Sequence, residues 1–570
     1  MIKLKVILTT LWFFIIFQHF FVQAQWSNDP TQNLQISTFG YNVKACEDGN
    51  GGAFIAWDLP HDQPFVWVQW VDRYGYVRWA QPIQVTGQED NQEVVDIIKS
   101  TGNTAILAYM DKRFKYELPP PAPVRIYKDF ITLTRIDTTG NFLWSVRATV
   151  DTIHQGDVVI VADESGGAYL TFNEIYPIYG DRDSSIVRLQ RISNSGQRMW
   201  GDSGRYVYKE PSHLNPSPYL NNKVPEGLYF LHWEDNVGLI MESVEPGGSI
   251  NWSNINDWYR RGIPTNDGGC TWAFKHRVSH TGEYMILANR MDSQGNLMWS
   301  DSGLVVADNL GSVSSVVDYN LLNDNSVVKF WKRQHINNPD DYKSYIQIID
   351  YNGTFQFPDS SLLITSASDG KVSGLGLTLG DSLNFILTWK DTRTIDTGYY
   401  CQKYSKEMVK LWNFQDILLT THSAHLGSIL ADNNFGMIMI WDEYFSPYNG
   451  VFAQQISRNG NLGEVLTSIS SIDDLIIPER IKLYSNFPNP FNATTAIPFY
   501  LPHRVSLKIT IYNVLGQNVK NLFQGVKLPG HYVINWDGKN EEEKDLPSGI
   551  YYVQLKTRHL TQTKKLFLLK

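Results

Sequence analysis

Cysteine is nearly missing from this 570-residue chain, which holds only Cys46, Cys270 and Cys401. Three scattered thiols, odd in number and without a Cys-x-x-Cys pair, exclude a disulfide framework and argue against zinc or redox chemistry. Charged residues are sparse too, at 19%, and the net charge of −9 comes with no basic face, which argues against a nucleic-acid partner. Beyond the first two dozen residues no apolar run is long enough to span a bilayer as a helix. The 3.6-residue apolar period of helical solenoids is absent as well. Aromatics, by contrast, reach 13%, with 18 Trp and 30 Tyr, and glycine-containing turns are frequent. That mixture favours short, densely packed strands, and the length is too great for one core. The expectation is an all-β chain of two or more domains.

Residues 1–24 carry Lys3 and Lys5, then the apolar run Val6 to Phe17, then Val22-Gln23-Ala24. Charge, apolar stretch and small residue in that order predict a secretory signal peptide cut after Ala24 and a soluble mature chain. An uncleaved anchor is disfavoured because Gln18 and His19 shorten the apolar run.

Between residues 25 and 466 the sequence repeats. Asp72, Gly75 and Trp79 share a spacing with Asp137, Gly140 and Trp144. The pattern returns at Ser193, Gly196 and Trp200; at Glu245, Gly248 and Trp252; at Asp292, Gly295 and Trp299; and at Asp350, Gly353 and Phe357. Ser405 and Trp412 keep its ends without the glycine, while Ser457 and Gly460 precede Glu464 in place of an aromatic. Eight units result, roughly 55 residues apart. Physically the spacing is a hairpin: a polar first residue accepts turn hydrogen bonds, and Gly at the fourth position takes a left-handed conformation. The aromatic four residues later lies on the returning strand and packs on the neighbouring unit. Ahead of each hairpin stands a more apolar one, as in Ala53-Phe54-Ile55-Ala56-Trp57. Two hairpins make four strands, and many such units predict a β-propeller of about eight blades, with seven left open. Because the eighth unit lacks its aromatic, residues 26–37 are expected to supply the outer strand of the blade holding 451–462.

Acids recur just after the apolar strand: Asp58, Asp111, Glu174, Glu234 with Asp235, Asp391, and Asp442 with Glu443. Equivalent blade positions fall on one rim, where a carboxylate ring could hold a cation, contact sugars or form an acid and base pair. Solvated loop acids are the plainer reading. Thr265 to Trp272 resembles an Asp-box turn but occurs once. His276 with His280, and His422 with His425, have spacings that do not converge on strands. Tyr444, Phe445 and Tyr448 could stack on carbohydrate rings. No phosphate loop, dinucleotide fingerprint or hydrolase signature is present, and no cofactor is expected.

The remainder divides into a linker, 467–483, and a tail, 484–570. The tail contains Asn486, Pro488, Asn489, Pro490, Phe491 and Asn492, then Lys508 to Gly516. Asn535-Trp536-Asp537-Gly538 and Pro547-Ser548-Gly549-Ile550-Tyr551-Tyr552 follow, and the end holds Lys564, Lys565 and Lys570. Val505, Leu507, Ile509 and Ile511 make one strand face, Asn513 to Gly516 a turn, and Trp536 a core residue. These motifs, in this order, resemble the type A C-terminal sorting domain of the bacterial type IX secretion system, which has an immunoglobulin-like sandwich shared with flagellar hook-cap proteins. The resemblance implies passage across both membranes to the surface or beyond, with the type IX translocon and outer-membrane sorting machinery as partners. The propeller is then read as a non-catalytic binder of an extracellular glycan or protein. A secreted hydrolase acting on polysaccharide or peptide, and a structural envelope protein, are the alternatives.

Overall fold

Alternating and continuously apolar segments suit strands whose backbone groups pair across sheets, and in the computed structural model of the chain every element among the described residues is a strand. The structure describes residues 26–463, apart from short segments mostly between strands, and residues 481–569, apart from isolated short gaps. Residues 1–25, 464–480 and 570 lie outside the description, and so does the expected signal peptide. The chain forms two compact units, Met1–Val465 and Leu466–Lys570.

In the larger unit the described strands form eight four-stranded antiparallel sheets, each meandering in chain order except one. The first strands of the sheets are Tyr41–Glu47, Gln92–Lys99, His154–Ala162, Tyr219–Asn222, Gly262–Pro264, Ser312–Leu321, Val372–Leu379 and His425–Ala431. Each touches the first strand of the next sheet, and His425–Ala431 touches Tyr41–Glu47, so the contacts run in a cycle. Several of these strands carry a register shift near their start, as at Tyr41/Lys44, Val94/Asp96, Gly156/Val159 and Leu426/Ser428. Bulges of this kind bend a strand and aim individual side chains.

The exceptional sheet takes its fourth strand from the other end of the unit. Leu34–Ser37 pairs antiparallel with Tyr448–Ile456, Leu34 opposite Ala453 and Ser37 opposite Val451. The expected N-terminal contribution to the last repeat is therefore present as a strand beginning at Leu34. Trp26, 4% exposed, precedes it and packs on the first repeat: its indole donates to Arg73 O at 3.0 Å.

That contact repeats around the unit. The indole of one repeat donates to the carbonyl of the second turn residue of the next: Trp79 to Thr138, 3.0 Å; Trp144 to Asn194, 2.8 Å; Trp200 to Pro246, 3.3 Å; Trp299 to Tyr351, 3.0 Å; Trp412 to Arg458, 2.8 Å. The glycine two residues further on makes room for the ring. A Cβ on Gly196 would lie 2.8 Å from Trp144, and one on Gly460 would lie 2.7 Å from Trp412. Its left-handed backbone, φ 79° at Gly196 and 82° at Gly460, serves the turn as well. The aromatic is less regularly placed than its spacing suggests. Trp144 lies on a continuous strand, whereas Trp79, Trp200 and Trp299 sit in bends just after a lone bridge such as Val71 to Val77.

The smaller unit stacks a three-stranded sheet, Lys482–Leu483, Thr495–Leu501 and Gly530–Trp536, with a four-stranded one. The latter runs in the order Asn518–Lys527, Val505–Asn513, Gly549–Thr557 and Thr561–Leu568. Its core gathers Leu507, Ile509 and Ile511 from one strand face with Phe491, Trp536, Val553, Leu566 and Leu568, as alternation requires. Leu483 also belongs to this core, so the last residues of the expected linker are part of the tail sandwich. The stretch Pro119 to Pro123 lies outside the described residues.

Candidate functional site

The recurring acids lie in the second strand of their sheets, Asp58, Glu234 and Asp391 as its last residue and Asp111, Glu174 and Asp442 further in. Asp58 lies opposite Tyr41, Asp111 opposite Gln92, Glu174 opposite Gln155, Asp391 opposite Val372 and Asp442 opposite His425. All five are buried, as is Glu443, which departs from the expectation of solvated loop acids. The strand carries its carboxylate inward, and at Asp58 and Asp442 the neighbouring sheet's first strand covers it. Charge in that position must be hydrogen-bonded or neutralised.

Asp58 illustrates how. Its Oδ2 accepts Asn42 Nδ2 at 2.8 Å and the main-chain N–H of Val94, on the next sheet's first strand, at 2.9 Å. Burial pushes its carboxyl up to about 6, against the two hydrogen bonds and with repulsion from Glu93 and Asp442. Asp442 is raised above the ordinary carboxylate range by burial, opposed by the N–H of Val43 and by His425, whose Nδ1 lies 3.8 Å away. Val43 is again on the next sheet's first strand. The same staple therefore joins the last repeat to the first and the first to the second. Glu174 is ion-paired to Arg188 at 2.6 Å, and Glu443 accepts the Trp441 indole at 3.1 Å. Glu234 ends its strand opposite Gly238; its side chain, all of Asp235, and the side chains of Tyr444, Phe445 and Tyr448 lie outside the described residues. Tyr41 and His425 are exposed beside Asp58 and Asp442 and are the solvent-facing groups there.

Two further sets of residues carry the repeat and escaped the sequence reading. Three positions before six of the eight turns stands a buried amide side chain, Thr134 and Glu242 taking the place in the other two, and several of these amides clamp the backbone around the aromatic. Gln69 Nε2 donates to Trp79 O at 3.0 Å, Gln190 to Gly201 O at 2.8 Å and Gln347 to Phe357 O at 2.8 Å. In the last repeat Gln454 reaches Ser27 O at 3.1 Å, so the segment after Trp26 occupies the place that Gly201 holds beside Trp200. The constant spacing of Gln69, Gln190, Gln347 and Gln454 was a readable signal. At the opposite hairpin, Asp48, Asp163 and Asp432 close the first turn, each with its own N–H on the carbonyl of Gly52, Gly167 or Gly436. Thr265 occupies that position in the Asp-box-like segment, with Asp267 paired to Arg290 at 2.9 Å. The box is thus the local version of a hairpin turn shared by several repeats. The three cysteines are buried and none is in a disulfide, and among the described residues no cluster of His, Cys, Asp or Glu has metal-binding geometry.

In the tail, the motif residues serve the sandwich. Asn486 is buried with Nδ2 on Thr495 Oγ1 at 2.9 Å, and Phe491 packs on Trp536 at 5.5 Å between centroids. Asn489 bonds the last strand, to Lys565 O and from Phe567 N. Asn492, Lys564 and Lys565 are exposed, as is Gly549 at the start of its strand. Pro488, Pro490 and Lys570 lie outside the described residues.

A two-sheet sandwich around a buried tryptophan defines the tail unit as immunoglobulin-like. Residues 488–559 match the FlgD Ig-like domain family. Comparison with curated proteins finds no match. Solved structures similar to the chain include PorZ, described as an essential bacterial surface component of the type-IX secretion system of Porphyromonas gingivalis, with 11% identity, TM-score 0.31, and 94% of this chain and 71% of that one covered. A PL25 ulvan lyase bound to a GlcA and sulfated rhamnose oligosaccharide has 9% identity and TM-score 0.35, covering 78% and 97%. An endo-arabinase from Bacteroides thetaiotaomicron has 12% identity and TM-score 0.23, covering 56% and 97%. Likenesses this distant fix neither a fold nor an activity.

Proposed function

We propose that the chain is an exported or surface-displayed protein whose tail is a type IX sorting domain and whose larger unit is an eight-bladed propeller that binds a glycan or protein without turning it over. The observation that carries the export reading is the tail itself, where an immunoglobulin-like sandwich is built around the motif run from Asn486 to Asn492. Eight four-stranded sheets whose first strands touch in a cycle support the propeller reading. Closure through Leu34–Ser37 supports it further, since a propeller that borrows one strand from the other chain end leaves no open seam.

The non-catalytic reading is supported by what the recurring carboxylates do. Asp58 and Asp442 staple one sheet to the next, Glu174 holds Arg188, and Glu443 holds Trp441, so these acids are committed to packing rather than presented to a substrate. The partner surface is then the rim carrying Tyr41 and His425. Export is tested by fusing residues 481–570 to a periplasmic reporter in a type IX-competent host; a reporter that stays in the periplasm refutes it. Binding is tested on a glycan and surface-protein panel with turnover followed in parallel. Turnover that disappears in a folded Asp58→Asn or Asp442→Asn variant would replace this reading with the hydrolase one.

A further inference from the structure

If the tail is the export determinant, as proposed above, its motif residues fall into two kinds. The last strand, Thr561–Leu568, is the edge of its sheet, and an edge strand leaves a row of backbone groups without a ladder partner. Here the upstream motif covers them. The Asn489 side chain donates to Lys565 O at 3.2 Å and accepts from Phe567 N at 2.9 Å. Phe491 continues with its main chain: its N–H donates to Phe567 O at 2.9 Å and its carbonyl accepts from Leu569 N at 2.8 Å, making a parallel bridge to Leu568. The Phe491 ring is 1% exposed, so this clasp is anchored in the core. At the strand's other end Gln562 donates to Ile481 O at 2.9 Å and accepts from Leu483 N at 2.5 Å. Two points about eighty residues upstream therefore hold one strand at both ends.

Register is what such a clasp controls. Lys565 and Phe567 are exposed while Leu566 and Leu568 are buried, and a slip of one residue would exchange those faces. We propose that Asn489 and Phe491 are positioning residues: they act on export by fixing the register of the last strand, which keeps Lys565 on the outer face and Lys564 exposed at the start of the inner one, and the export machinery does not read them directly. Asn492, which is exposed and among the described residues bonded through its main chain to Thr494, is not part of the clasp.

The test uses the full chain in an export-competent host, with Asn489→Ala, Gln562→Ala, Asn492→Ala and a deletion of 481–570. The exported fraction is measured beside amide hydrogen exchange of the purified proteins, with the Ile509 and Val553 amides as controls for the fold. Asn489→Ala is expected to raise exchange at Phe567 and Leu569 by about tenfold or more, to leave the control amides unchanged, and to lower export. Gln562→Ala should do both more weakly from the other end of the strand, and Asn492→Ala should do neither. Export lost without a change in exchange would mean that Asn489 is read directly, and faster exchange with export intact would mean that register is irrelevant; either overturns the proposal. Should Asn489→Ala disturb the control amides, Gln562→Ala decides alone, by the same criteria. Export that survives deletion of the tail would instead overturn the export reading, and this proposal with it.

Discussion

The seam between the sixth and seventh repeats differs from its neighbours at two places at once. Where Trp299 meets Gly353, an indole fills the hollow above a glycine at φ 86°. In the following repeat Phe357 stands in the tryptophan's place, and the repeat after it has Met408 where the others have glycine. Met408 holds the same left-handed conformation, φ 61°, and its turn is closed by the same hydrogen bond, from its N–H to Ser405 O at 2.9 Å. Phe357 and Met408 both pack against the cluster around Val328, Phe385 and Tyr404. The turn by itself thus tolerates a side chain at modest strain. At Gly75, Gly196, Gly248, Gly353 and Gly460 the indole arriving from the preceding repeat makes glycine mandatory. A smaller ring leaves room for a Cβ, and the methionine fills it.

Breaking the indole seam should have the largest effect. Trp26→Ala removes a buried ring, its bond to Arg73, and the lock on the N-terminal strand, and should cost about 3–5 kcal/mol in urea unfolding. A loss below 1 kcal/mol would show that Leu34–Ser37 closes the unit unaided. Next comes Gly353→Ala, which adds left-handed strain to a Cβ lying 3.0 Å from Trp299, for roughly 2–3 kcal/mol. Ala at Met408, by contrast, should cost no more than about 1 kcal/mol. The comparison is sharpened by a cycle. Phe357→Trp alone should destabilise by about 1–2 kcal/mol through collision with Met408, and Met408→Gly should rescue it, giving a coupling of that size. Additive effects would break the link drawn here between the two positions.

The staple at the first seam offers a smaller, pH-dependent effect. Asp58 titrates near 6 in the fold and near 3.9 when unfolded, so between about pH 4 and 6 the native state holds a proton that the unfolded chain has released. Stability from this group is present below that window and declines as pH rises through it, by roughly 3 kcal/mol, then stays level. Asp58→Asn should flatten the decline while keeping an acceptor for Val94, measured as urea midpoints from pH 4 to 8. An unchanged slope would reassign it to Asp442 or other acids.

Much of the larger unit was legible because its rules are local. Asp72, Gly75 and Trp79 sit within one hairpin, and their spacing alone fixes turn, left-handed residue and ring. Trp26 was legible for a second reason: the last repeat visibly lacks what the N-terminus has in surplus. The carboxylates were found but misjudged. Asp58 and Asp442 read as loop acids because nothing near them in sequence shows that Val94 and Val43, on the following sheets, come close enough to bury them. The amide clamps at Gln69 and Gln190 went unread since glutamine has no strong local preference, and its role exists only across a hairpin. In the tail, Asn489 and Lys565 read as separate motifs, 76 residues apart, although they form one hydrogen-bonded structure.

Composition and periodicity alone determined that this chain is rich in strands and that its middle repeats, because both properties rest on contacts within a few residues, while the sandwich at its end was implied by the resemblance of its motifs to a known family. Which acids are buried, which ring fills which glycine hollow, and that the last strand is clasped by residues 489 and 491 were decided only by tertiary structure. Those outcomes depend on pairs of groups brought together from distant parts of the chain, and no local preference encodes the meeting.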